Sequence, residues 1–156
     1  MSTDAVVTSL GLLDLGAAGF ASEHAVGLFA VSNPTVALAT ITLGTGMSGY
    51  ALDGSRWVDL GTGVNLNSGV EYYLLADNFS VDMYAYGNGV SYAADVNWLG
   101  FTDGTSNSIF SNPIHNSGLP GDLGPNFRYQ AVPEPATLVA LGLGATALLR
   151  RKRNRR

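Results

Sequence analysis

Val36-Ala37-Leu38-Ala39-Thr40-Ile41-Thr42-Leu43 is apolar at both alternating sets of positions and is followed by glycines at 44 and 46. A short apolar run rich in β-branched residues and closed by turn formers reads as a strand. Because both of its faces are apolar, it is expected to lie centrally in a sandwich. Tyr72-Tyr73-Leu74-Leu75-Ala76 reads in the same way.

Outward from these two segments, the strand candidates are 5–13, 24–31, 56–60, 71–77, 82–86, 96–101 and 127–132. Gly, Asn, Asp and Pro separate them at intervals of about 10–20 residues, which is an all-β pattern. No helical periodicity precedes Pro135. The expected architecture is an antiparallel, jelly-roll-like β-sandwich over 1–131, then a Pro-rich hinge and one C-terminal transmembrane helix. A chain of 156 residues suits one core plus a tail.

Charge divides the chain in the same place. The net charge is −4, yet all 12 acidic residues lie in 1–149, where Arg56 and Arg128 are the only basic ones, a balance of −10. The other basic residues are Arg150, Arg151, Lys152, Arg153, Arg155 and Arg156. An acidic body with two arginines excludes a nucleic-acid partner, whose phosphates require a basic face. The absence of cysteine removes disulfides, thiolate metal sites and cysteine nucleophiles.

In the tail, Pro133-Glu134-Pro135 precedes fourteen uncharged residues, 136–149, and then the basic cluster. The prolines favour extended backbone, and a helix can start only near Pro135. As a helix the run is about 21 Å long, short of the roughly 30 Å hydrocarbon core of a bilayer, a gap that snorkelling arginines and local thinning reduce. The segment has no polar face, and the positive end at 150–156 places it on the cytoplasmic side with the body outside.

Motif, order and terminal position together resemble the PEP-CTERM sorting signal over about 25 residues, 132–156. The resemblance implies recognition by a membrane-embedded exosortase, with cleavage at or near Pro133, Glu134 and Pro135. It also implies bacteria that make exopolysaccharide or biofilm matrix. Tails of this kind are also labelled the C-terminal domain of ice-binding proteins. The body is similar to a β-sandwich domain of unassigned function found upstream of such tails. Residues 7–14, 24–29, 52–57 and 66–73 carry that similarity, and 124–129 look like the closing strand. Such proteins begin with a secretory signal peptide and a strand that precedes residue 5. Neither is seen here, so either the start is assigned too far downstream, which is the favoured expectation, or the gene is truncated; if the protein starts at Met1, export is in doubt and the sheet should present an unpaired edge.

Four chemistries are conceivable for the body. The two histidines, His24 and His115, could serve a small glycan-active or esterase-type hydrolase. Gly46-Met47-Ser48-Gly49-Tyr50 approaches a nucleophile elbow but has tyrosine in place of the final glycine. His24 matches a structural position in the sandwich domain that the body resembles, and the resemblance implies a hydrogen-bonded residue at a strand start; the body reads as non-enzymatic. Structural calcium would use the loops at 14–23, 53–54 or 103–107, which match no calcium motif, so no cofactor is expected. Aromatic residues crowd 72–101, and Tyr84, Tyr86, Tyr92 and Trp98 are the candidate contacts for an exopolysaccharide. Ice binding would need a regular threonine array, and only Thr40 and Thr42 alternate. The expected protein is exosortase-sorted, membrane-anchored before processing, and then at the cell surface or in the extracellular matrix, with a structural, adhesive or polysaccharide-associated role.

Overall fold

The computed structural model describes residues 2–77, 81–82, 85–86, 93–97, 99, 101–104, 113–116 and 122–133; for 85–86, 101–104, 113–116 and 122–123 it describes the backbone alone. All regular structure in the described residues is β. The strands are β1 (Ala5–Leu13), β2 (His24–Ala30), β3 (Asn33–Leu43), β4 (Tyr50–Leu52), β5 (Ser55–Leu66) and β6 (Tyr72–Ala76). Then follow β7 (Ala85–Tyr86), β8 (Phe101–Gly104), β9 (Pro113–Asn116), β10 (Asp122–Leu123) and β11 (Pro125–Ala131).

Two antiparallel sheets carry the core. The first has the order β11-β1-β5-β4 and the second β3-β2-β6. They meet across one cluster made of Val7, Leu10 and Leu12 from β1, Val26 and Leu28 from β2, Ile41 and Leu43 from β3, with Leu66, Ala76 and Phe20. β7 pairs with β10 and β8 with β9 as two-stranded ribbons.

β1 shows how sequence sets this arrangement. Val7 and then Leu10 and Leu12 face the core, a change of parity that strict alternation forbids. A β-bulge at Thr8 supplies the extra residue: Val7 faces Tyr129 and Ser9 faces Arg128, leaving Thr8 out of register, with its hydroxyl donating to the Arg128 carbonyl at 3.3 Å. Opposite, β5 pairs Val64 with Val7 and Asp59 with Ser9, so 60–63 have no register partner on β1. Gly11 lies beside Trp57, and a Cβ there would stand 2.6 Å from the indole ring. Glycine thus lets the ring lie over the sheet. Asp53 and Gly54, at φ 51° and 76°, form the two-residue turn between β4 and β5. Positive φ at both positions is what a type I′ hairpin demands.

Several expectations need correction. The segment 36–43 is not central: among the described residues β3 is an edge strand, and Val36 and Leu38 are 58% and 42% exposed. Only its second half alternates cleanly, with Ile41 and Leu43 inside and Thr40 and Thr42 outside. In the first half Phe29 faces Ala37 and Ala30 faces Asn33, so Leu38 and then 34–36 are extra residues that curl away from β2. Tyr72–Ala76 is likewise an edge. The central positions belong to β2, β1 and β5. β1 is paired on both sides, so the expected unpaired edge is not at the first strand. The 56–60 candidate is the twelve-residue β5, and β4 was not foreseen. Residues 96, 97 and 99 belong to no strand; the next one begins at Phe101.

Candidate functional site

Three places bear on function: the exit of the chain from β11, the surroundings of His24, and the outer face of the first sheet. At the exit, Ala131 pairs with Ala5, and Val132 N–H donates to the Asp4 carbonyl at 2.8 Å. The other side of this end is held too. The Asp4 carboxylate accepts from Ser68 N–H at 2.7 Å, and the Ser68 hydroxyl donates to the Ser2 carbonyl at 2.9 Å. Pro133 follows as exposed chain. Having no N–H, it cannot continue the ladder, so pairing stops one residue before the Pro-Glu-Pro sequence. Glu134, Pro135, the expected helix at 136–149 and the basic cluster Arg150, Arg151, Lys152, Arg153, Arg155 and Arg156 lie outside the described residues. Among those described, no helix is long and apolar enough to cross a membrane.

His24 is the first residue of β2 and is fully buried. Its Nδ1 donates to the Asp77 carbonyl at 2.7 Å, and its Nε2 meets the Asp82 carboxylate at 3.0 Å. Both ring nitrogens are therefore engaged, one by a backbone carbonyl and the other by a carboxylate. Asp82 also accepts from Ala21 N–H, Ser22 N–H and the Ser22 hydroxyl, each at 2.8 Å. Burial alone would raise this carboxyl. The donors from Ala21, Ser22 and His24 outweigh it and hold the group well below the usual carboxylate range. A serine nucleophile must give its proton to an imidazole nitrogen, whereas here the Ser22 hydroxyl points its proton at a carboxylate. The arrangement fastens the β1–β2 loop to Asp82. Ser48, in the elbow-like sequence, accepts from Gly44 N–H at 2.9 Å and serves its turn. His115 lies in β9, which is described by backbone alone.

The loop at 14–23 holds a cation of its own. Arg56 Nε donates to Asp14 at 2.8 Å, both groups being 5% exposed, and Gly19 N–H reaches both carboxylate oxygens at 3.1 Å. Arg56 also donates to the Met47 carbonyl at 3.4 Å. The carboxylate considered for calcium is thus committed to a guanidinium. Asp53 occupies the hairpin turn, and 105–107 lie outside the described residues. No cluster of three or more metal-ligating side chains occurs among the described residues.

The outer face of the first sheet carries a polar cluster that sequence reading missed. Ser9 and Tyr50 both donate to Asp59 Oδ1 at 2.7 Å, and Arg128 donates to the Tyr50 hydroxyl at 3.3 Å. The Arg128 guanidinium also lies over the Trp57 ring, 5.9 Å from its centroid. The bond from Tyr50 above all, with that from Ser9, lowers the Asp59 carboxyl below its ordinary value. Tyr50, Asp59 and Arg128 are exposed, whereas Arg56, the other arginine of 1–149, is buried. Only strand register brings these residues together; Tyr50 and Arg128 are 78 positions apart. Of the four aromatic residues expected to meet a glycan, Tyr86 is placed by backbone in β7. Tyr84, Tyr92 and Trp98 lie outside the described residues. Thr40 and Thr42 project from an edge strand whose other half bulges, which is no regular array.

Compared with known families, residues 131–156 match the PEP-CTERM protein-sorting motif. No curated protein and no solved structure matches the chain.

Proposed function

From a PEP-CTERM motif at residues 131–156, which marks an exported protein for exosortase-dependent sorting, we propose a non-enzymatic surface or matrix component. The observation that carries this reading is the motif itself, joined without a spacer to the last strand of the body. In this reading exosortase recognises Pro133, Glu134 and Pro135. Residues 136–149 span the membrane before processing, and the cluster 150–156 stays on the cytoplasmic side. The body is then left at the cell surface or in the extracellular matrix. We read it as a jelly-roll-like β-sandwich, supported by two antiparallel sheets that close on one core.

The role we assign to the body is structural or adhesive, with exopolysaccharide as its contact. Two features support it. Both nitrogens of His24 are engaged and the ring is buried, so it is unsuited to act as a base. The Tyr50, Asp59 and Arg128 cluster offers an exposed aromatic ring beside a carboxylate and a guanidinium, a combination on which a sugar ring can stack while its hydroxyls are hydrogen-bonded. The decisive experiment is expression in a host with exosortase, comparing mass and location of the native chain with Glu134→Ala. The native chain should be shortened and released and the variant retained at full length. Equal processing of both would defeat the assignment of the motif.

A further inference from the structure

The sorting match begins at residue 131, inside β11. Ala131 is paired with Ala5, and the amide of Val132 is given to Asp4. An enzyme that cuts a chain takes it in extended form and uses backbone groups on both sides of the bond. For a cut at or near 133–135, the backbone just before Pro133 is already committed to β1.

The two partners in this pairing are not equally fixed. The start of β1 is held from its other side: Ala5 is 1% exposed and faces Leu66, while Asp4 and Ser2 are tied to Ser68. Among the described residues the end of β11 is an outer edge, and Gln130, Ala131 and Val132 are exposed. Releasing them gives up backbone hydrogen bonds and little buried apolar surface. Peeling further meets Tyr129, packed against the core and hydrogen-bonded to the Asp95 carboxylate.

We propose that residues 130–132, the end of β11 and the residue after it, form a releasable segment whose separation from Asp4 and Ala5 precedes cleavage, so that the folded body sets the rate of its own processing. This rests on the reading of 131–156 as an exosortase substrate. The strand from Tyr129 inward stays paired while the last three residues pass to the enzyme.

The test uses the full chain with membranes that contain exosortase. Ala5→Cys combined with Ala131→Cys places cysteines on facing residues of an antiparallel pair, within disulfide reach, in a chain that has no other cysteine. The oxidised double variant should be cleaved roughly tenfold more slowly than the same protein after reduction. Six Gly and Ser residues inserted between Val132 and Pro133 should restore its rate while oxidised, and should speed the native sequence. Equal rates for oxidised and reduced forms would overturn the proposal. So would an insertion that leaves the native rate unchanged. If the native chain itself is never cut, the sorting reading has failed, an outcome distinct from both.

Discussion

Asp82 and His24 hold the β1–β2 loop through a carboxylate that accepts four donors. The sign of the resulting pH dependence follows from the carboxyl being depressed in the folded protein. Its stabilisation is fully present above the ordinary value of 3.8 and is lost as pH falls below it. The unfolding midpoint of Asp82→Asn should lie below that of the native protein at pH 7, and the difference should shrink below about pH 3.8. Melting curves across that interval would check it; a constant difference would contradict it. At this scale the sequence was partly legible. The resemblance to a sandwich domain implies a bonded strand-start residue at His24, and β2 begins there. That Asp14 meets Arg56 rather than a metal was not legible, since the two are 42 residues apart and only the fold closes the distance.

At the scale of elements, β3 separates what pattern can decide from what position decides. Its second half was legible as alternation. Its first half looks buried because it is apolar, but exposed apolar residues are common, and burial depends on a neighbour that the pattern does not name. Leu38→Lys should therefore change stability by no more than about 0.5 kcal/mol. Ile41→Ala, which empties a core position, should cost about 2–4 kcal/mol. Denaturant titration of both variants distinguishes an edge strand from a central one, because a central strand would make the lysine the more damaging change. β1 makes the complementary case. The bulge at Thr8 reverses its parity, and the switch is visible in the spacing of Val7, Leu10 and Leu12 once it is known to be there.

At the scale of the molecule, Tyr129 ties the last long strand to the segment at 93–97, whose Asp95 carbonyl also accepts from Ser2 N–H at 2.8 Å. Burial first, and then the Asp95 carboxylate, push the phenol of Tyr129 up to about 12. A phenol held neutral in the folded state stabilises it below its ordinary value of 10.0, and the contribution fades as pH rises from there to about 12. Tyr129→Phe should thus be less stable than the native protein at pH 8 and approach it above pH 10, as alkaline unfolding curves will show. The division of the chain into an acidic β-rich body and a basic-ended sorting tail was set by sequence alone, because composition, breakers and local order encode it without tertiary contacts. So were most strand positions and the address, read over 132–156 and matched over 131–156. The choice of central and edge strands, the meeting of Tyr50, Asp59 and Arg128, the burial of Asp14 with Arg56, and the pairing that holds Val132 against Asp4 were decided only by tertiary structure. Each depends on register between segments far apart in the chain, and a bulge alters register without leaving a periodic mark.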